Sequence, residues 1–69
     1  MEESWDAGKM GCSALVLELH RRVSALASGD TLRVVARDPG APVDLPAWCR
    51  MTGNTLVEAE HPTYVIQVK

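Results

Sequence analysis

Cys12 is the residue most able to do chemistry in this chain. It stands where a short polar N-terminal stretch gives way to the helix-forming run Ser13-Ala14-Leu15-Val16-Leu17-Glu18-Leu19. A thiol at a helix N-terminus faces unpaired backbone N–H groups and the positive end of the helix dipole. Both favour the thiolate, which is the nucleophilic form. Gly8, Lys9, Met10 and Gly11 precede it and predict a flexible, exposed approach with one cation nearby. Position alone also fits an inert cysteine at a helix cap, so the rest of the chain must decide between the two.

The other chemistry-bearing residues are dispersed. Cys49 falls on the apolar side of a predicted second helix, where a free cysteine behaves as a small hydrophobe. Cys12, Cys49, His20 and His61 have no recognisable zinc-ligand spacing, so no metal is expected. His20 reads as a solvated helix residue, His61 as a turn residue, Trp48 as core and Trp5 as part of a partly exposed strand. Met10, flexible and beside Cys12, suits a docking surface. A Gly-rich phosphate loop, a Ser-His-Asp set and paired carboxylates are all missing, and no cofactor is expected.

A chain of 69 residues makes one small domain, which buries only about 60% of the surface of its unfolded chain. That leaves little room for an enclosed cavity and places any chemistry on the surface. Hydrophobic content of 46% with 23% charged residues is that of a folded domain. The longest apolar run, residues 14–17, is too short to span a membrane, and no secretory apolar region follows Met1. Two distant cysteines fit a reducing compartment, so the cytoplasm is the expected location. A net charge of −2, with only Arg21 and Arg22 adjacent among the cations, argues against tight nucleic-acid binding.

Positioning Cys12 falls to six predicted elements. Residues 4–7 form a weakly signalled strand. A first helix is predicted over about residues 13–27, with Leu15, Leu19, Val23 and Leu26 as its apolar stripe, Glu18 and Arg22 paired, and Gly29 ending it. Residues 31–37 alternate, with Leu32, Val34 and Ala36 on one face. Asp38-Pro39-Gly40 breaks that strand and Pro42 delays the next element. Asp44 is read as the N-cap of a helix over residues 44–52, with Pro46 in its first turn, Leu45, Trp48, Cys49 and Thr52 facing inward, and Gly53 as its stop. Strands at residues 55–60 and 63–68 follow, joined around His61-Pro62, with Tyr64, Ile66 and Val68 on one face. The fold class is α+β: a two-layer sandwich of order β-α-β-α-β-β, with two helices on one face of a mixed four-stranded sheet.

The run Asp38-Pro39-Gly40-Ala41-Pro42-Val43-Asp44-Leu45-Pro46-Ala47-Trp48-Cys49-Arg50-Met51-Thr52-Gly53-Asn54 resembles the second-helix signature of the TusA/SirA sulfur-carrier family. That signature reads Asp-Pro, a few residues, Asp-Ile-Pro-Ala-Trp-Cys, then Thr-Gly-His. Trp5-Asp6-Ala7 stands where the family has Leu-Asp-Ala, and Cys12 falls on its active cysteine. The likeness covers about residues 5–69 and treats residues 1–69 as a single domain of this type.

The resemblance implies a sulfurtransferase. Cys12 would accept sulfane sulfur from a cysteine desulfurase or rhodanese-type donor, hold it as a persulfide, and relay it to a cysteine-bearing acceptor protein. Family uses include tRNA thiolation, molybdenum cofactor maturation and sulfur oxidation. Such a carrier is expected to be monomeric and to need no cofactor or membrane. The family motif Cys-Pro-x-Pro is here Cys12-Ser13-Ala14-Leu15, and the Arg-Gly-Leu-Arg loop is Gly8-Lys9-Met10-Gly11. Without those prolines, the alternative is a non-catalytic interaction or regulatory module on the same fold.

Overall fold

Alternation of side chains along residues 31–36 builds the middle of the sheet. In the computed structural model, which describes residues 2–69 and of Cys12 only the backbone, the elements are β1 (Glu2–Gly8), α1 (Cys12–Ser24), β2 (Thr31–Ala36), α2 (Ala41–Thr52), β3 (Thr55–Glu60) and β4 (Thr63–Gln67). The strand order is β1-β2-β4-β3. β1 runs parallel to β2, and β4 runs antiparallel to both β2 and β3.

Leu32, Val34 and Ala36 of β2 are buried, and two of them sit opposite β4 residues: Leu32 against Ile66, and Val34 against Tyr64. The same core takes Leu15 and Leu19 from α1 and Ala41, Leu45, Trp48 and Cys49 from α2. Both helices therefore cover one face of the sheet, as the two amphipathic patterns require. Leu15, Leu19, Leu32, Leu45 and Ile66 are each fully or almost fully buried, and each burial stabilises by roughly 2 kcal/mol. On the opposite face Arg33 is exposed and reaches Glu2 at 3.4 Å.

Helix boundaries differ from the sequence expectation for local reasons. α1 ends at Ser24, three residues early. The Ser24 hydroxyl donates to the His20 carbonyl, and the Ala25 and Leu26 N–H groups bond only three residues back. The chain then enters a turn in which the Asp30 carboxylate accepts from the Ala27 N–H. Gly29 serves that turn rather than capping the helix. Val23 and Leu26, expected in the core, are only half-buried, Leu26 because it lies beyond the helix end.

α2 begins at Ala41, a turn earlier than expected, with Gly40 as its N-cap. Pro42 sits in the first turn, where a missing N–H costs nothing. Asp44 also lies in that turn and makes no capping bond, but its charge favours the positive helix end. Pro46 is tolerated within the helix. Gly53 ends it as expected, with φ +82 and its N–H bonded to the Cys49 carbonyl. β1 begins at Glu2 because it finds partners on β2 from there, with Glu2 opposite Thr31.

Burial sets the expected cost of truncation. Leu45→Ala should lose about 3 kcal/mol in denaturant unfolding. Leu17→Ala, at a site 74% exposed on α1, should stay within about 0.5 kcal/mol of the parent.

Candidate functional site

β1 and β2 are parallel, so both leave the sheet at the same end, and each leads into a helix there. Both exits use an Asp-x-Gly turn. The Gly8 N–H donates to Asp6 Oδ1 at 2.8 Å, and the Gly40 N–H donates to Asp38 Oδ2 at 2.9 Å. An Asp side chain bonding the backbone two residues on is a compact way to turn a chain. Gly8 takes φ +60, which only glycine adopts readily, and a register shift separates Asp6 from Gly8. The His61-Pro62 turn lies at this end too, because the Pro62 carbonyl accepts from the Ala36 N–H at 2.8 Å.

Cys12 is the first residue of α1, directly after the N-cap Gly11. The first helical bond runs from the Leu15 N–H to the Gly11 carbonyl at 2.8 Å. Cys12, Ser13 and Ala14 precede it, so their N–H groups have no acceptor one turn back in the helix. No acidic side chain occupies this first turn. The backbone at Cys12 therefore provides the anion-favouring setting expected from the sequence. The Cys12 side chain lies outside the described residues.

The approach to Cys12 is pinned rather than flexible. The Arg37 N–H donates to the Gly8 carbonyl at 2.8 Å, and the Met10 N–H donates to the Ala7 carbonyl at 3.2 Å. Arg37 Nη1 also donates to Asp6 Oδ1 at 2.9 Å. Met10 packs partly buried against the core instead of standing free. The Arg37 side-chain contact with Asp6 crosses 31 positions in sequence, so no local pattern could announce it. The Asp-x-Gly spacing was the one readable signal.

Comparison with known proteins gives the family. The sequence model of the family described as sulfurtransferase TusA matches residues 3–69. The chain belongs to the TusA family. It is 34% identical over 59 residues to the sulfur carrier protein TusA of Allochromatium vinosum, covering 86% of this chain and 78% of that protein. With the sulfur carrier protein TusA of Pseudomonas paraeruginosa it shares 36% identity over 66 residues, or 93% of this chain and 84% of the other. The TusA of Pseudomonas entomophila is 35% identical over the same length.

Of the remaining chemistry-bearing residues of this TusA-family chain, His61 lies in the turn at the Cys12 end, and the others lie elsewhere in the fold. Cys49 is 3% exposed on the core face of α2. It stands eight residues after the first residue of that helix, about 12 Å along its axis from the helix start. Burial pushes its thiol pKa up. His61 Nδ1 lies 2.6 Å from the hydroxyl of buried Tyr64, and burial raises the Tyr64 pKa. His20 is exposed, and it borders a groove of about 380 Å³ with Val23, Trp48, Thr52 and Val68, at the opposite end of the sheet from Cys12. Trp5 is half-buried beneath Arg22, whose guanidinium lies 4.6 Å from the ring centre. Arg22 also bonds Glu18 at 2.9 Å, and Glu18 is shared with Arg21. Among the described residues no three His, Cys, Asp or Glu side chains are grouped to hold a metal ion.

The buried thiol makes a prediction with a definite sign. Because the folded pKa of Cys49 is raised, its contribution to stability is fully present below the unfolded value of about 8.5 and is lost as pH rises past it. Cys49 should label slowly in the native protein and quickly in denaturant. The part of the alkaline decline that begins near that pH should disappear in Cys49→Ala, which itself costs roughly 1 kcal/mol at neutral pH.

Proposed function

We propose that this TusA-family sulfur carrier loads sulfane sulfur on Cys12 as a persulfide and relays it to a second protein. The observation carrying this reading is that a family match over residues 3–69 coincides with Cys12 at the first position of α1. The Cys12 thiolate attacks the terminal sulfur of a donor persulfide. A bond forms between the two sulfurs, the donor S–S bond breaks, and the donor cysteine leaves as thiolate. An acceptor thiolate then repeats the same exchange on the Cys12 persulfide. The donor is of the cysteine desulfurase or rhodanese type, and the acceptor presents a cysteine. tRNA thiolation, molybdenum cofactor maturation and sulfur metabolism are the pathways such a relay serves.

The setting suits both half-reactions. The N–H groups opening α1 favour an anion at Cys12, whether thiolate or persulfide. Ser13 supplies an N–H where proline would have none. A site at a helix start, with Gly11 and Ser13 exposed on either side, is open to a docking protein.

Incubation with a cysteine desulfurase and cysteine should raise the intact mass by one sulfur. Reduction should remove it, and Cys12→Ser should not acquire it. A parent chain that gains no sulfur, or a gain that persists in Cys12→Ser, would overturn Cys12 as the carrier and leave the interaction-module reading.

A further inference from the structure

We infer that Asp6 and Arg37 form a clamp that positions the start of α1, making them positioning residues for Cys12. The inference rests on the reading of Cys12 as the sulfur-bearing group. Asp6 Oδ1 accepts from two donors at once, the Gly8 N–H at 2.8 Å and Arg37 Nη1 at 2.9 Å. Arg37 returns to the same residue through its backbone, whose N–H donates to the Gly8 carbonyl at 2.8 Å. Gly8 is thus held on both its N–H and its carbonyl, in a left-handed conformation at φ +60. From there the path to Cys12 is short. Met10 N–H bonds the Ala7 carbonyl, Met10 packs on the core, and the Gly11 carbonyl receives the first helical bond from Leu15. The clamp ties the end of β1 to the end of β2, so the loop 8–11 cannot swing independently of the sheet.

The electrostatic state of the pair agrees with the geometry. The Gly8 N–H, and after it the Arg37 guanidinium, hold the Asp6 carboxyl below its ordinary range, so the acceptor stays ionised at neutral pH. The pair is exposed, and an exposed ion pair adds little to global stability. Its effect is therefore local. Releasing the clamp frees Gly8, loosens Gly11 and frays the first turn of α1. Fraying withdraws the aligned N–H groups that favour a Cys12 anion.

Two residues of opposite charge make this testable, because a clamp and a through-space field predict different signs. The pH dependence of alkylation at Cys12, read on the Cys12 peptide by mass, is compared in the parent, Asp6→Ala, Arg37→Ala, the double variant and Asp6→Asn. Lys9, Asp38, Asp44, Glu60 and His61, the other ionisable groups of the loops and helix starts at this end, are unchanged throughout. Both alanine variants should move the midpoint upward by about half a pH unit. The double variant should move it no further than the larger single. Asp6→Asn, which loses the charge but keeps an Oδ1 acceptor for Gly8, should stay near the parent. Amide exchange should quicken at Gly8 in Asp6→Ala and stay slow at Leu19, separating local release from unfolding.

A downward shift in Asp6→Ala with an upward shift in Arg37→Ala would overturn the clamp in favour of simple charge effects. Unchanged midpoints, additive shifts, or Asp6→Asn matching Asp6→Ala would overturn it as well. Alkylation needs only the thiol, so a parent that accepts no sulfur would defeat the carrier function while these profiles still judge the clamp.

Discussion

Because β1 and β2 pair in parallel, from Glu2 opposite Thr31 to Gly8 opposite Ala36, both strands leave the sheet at one end and both helices begin there. Two helix N-termini, two Asp-x-Gly turns and the His61-Pro62 turn are gathered on one small surface. A parallel pair needs a crossover, and α1 is that crossover. The position of Cys12 follows directly, since the first residue of the crossover helix must lie where β1 ends. The site is a feature of the topology before it is a feature of any side chain.

Stability and the proposed sulfur chemistry are held in different parts of the molecule. The core lies between the sheet and the helix faces, where Leu15, Leu19, Leu45, Val34, Tyr64 and Ile66 are at most 1% exposed. The Cys12 end is instead fixed largely by hydrogen bonds among solvent-exposed groups, which water competes for. Such bonds define position well while contributing little to the global balance. A carrier that must meet a donor and then an acceptor benefits from this division. Its docking surface can be rebuilt without dismantling the core, and a site at a helix start needs no enclosing cavity.

Much of this was readable along the chain because the relevant physics is local. The alternation of Leu32, Val34 and Ala36, the i,i+4 spacing of Leu15 and Leu19, and Gly53 as a left-handed stop each depend on a few neighbouring residues. The boundaries that were missed depend on partners elsewhere. Pro42 looked like an interruption but occupies the first turn of α2, because Gly40 is held by Asp38. Gly29 looked like a helix cap but belongs to a turn shaped by Asp30 and by the Val68 carbonyl. β1 carries few apolar residues, and its length comes from pairing with β2. The loop 8–11 read as flexible because its glycines were visible in sequence while Arg37 was not visibly near. The helix start at Cys12 and the family were both legible, the first from the run of helix formers that follows and the second from the residues 38–54 signature.

The central claim is that the backbone at the start of α1 keeps Cys12 disposed to carry negative charge without a proline beside it. The most direct measurement is the alkylation rate of Cys12 in the parent chain across pH, set against a free thiol of ordinary pKa, about 8.5. A midpoint clearly below that value is the predicted result. A midpoint at or above it would contradict the account, because the helix start would then be giving the thiol no help.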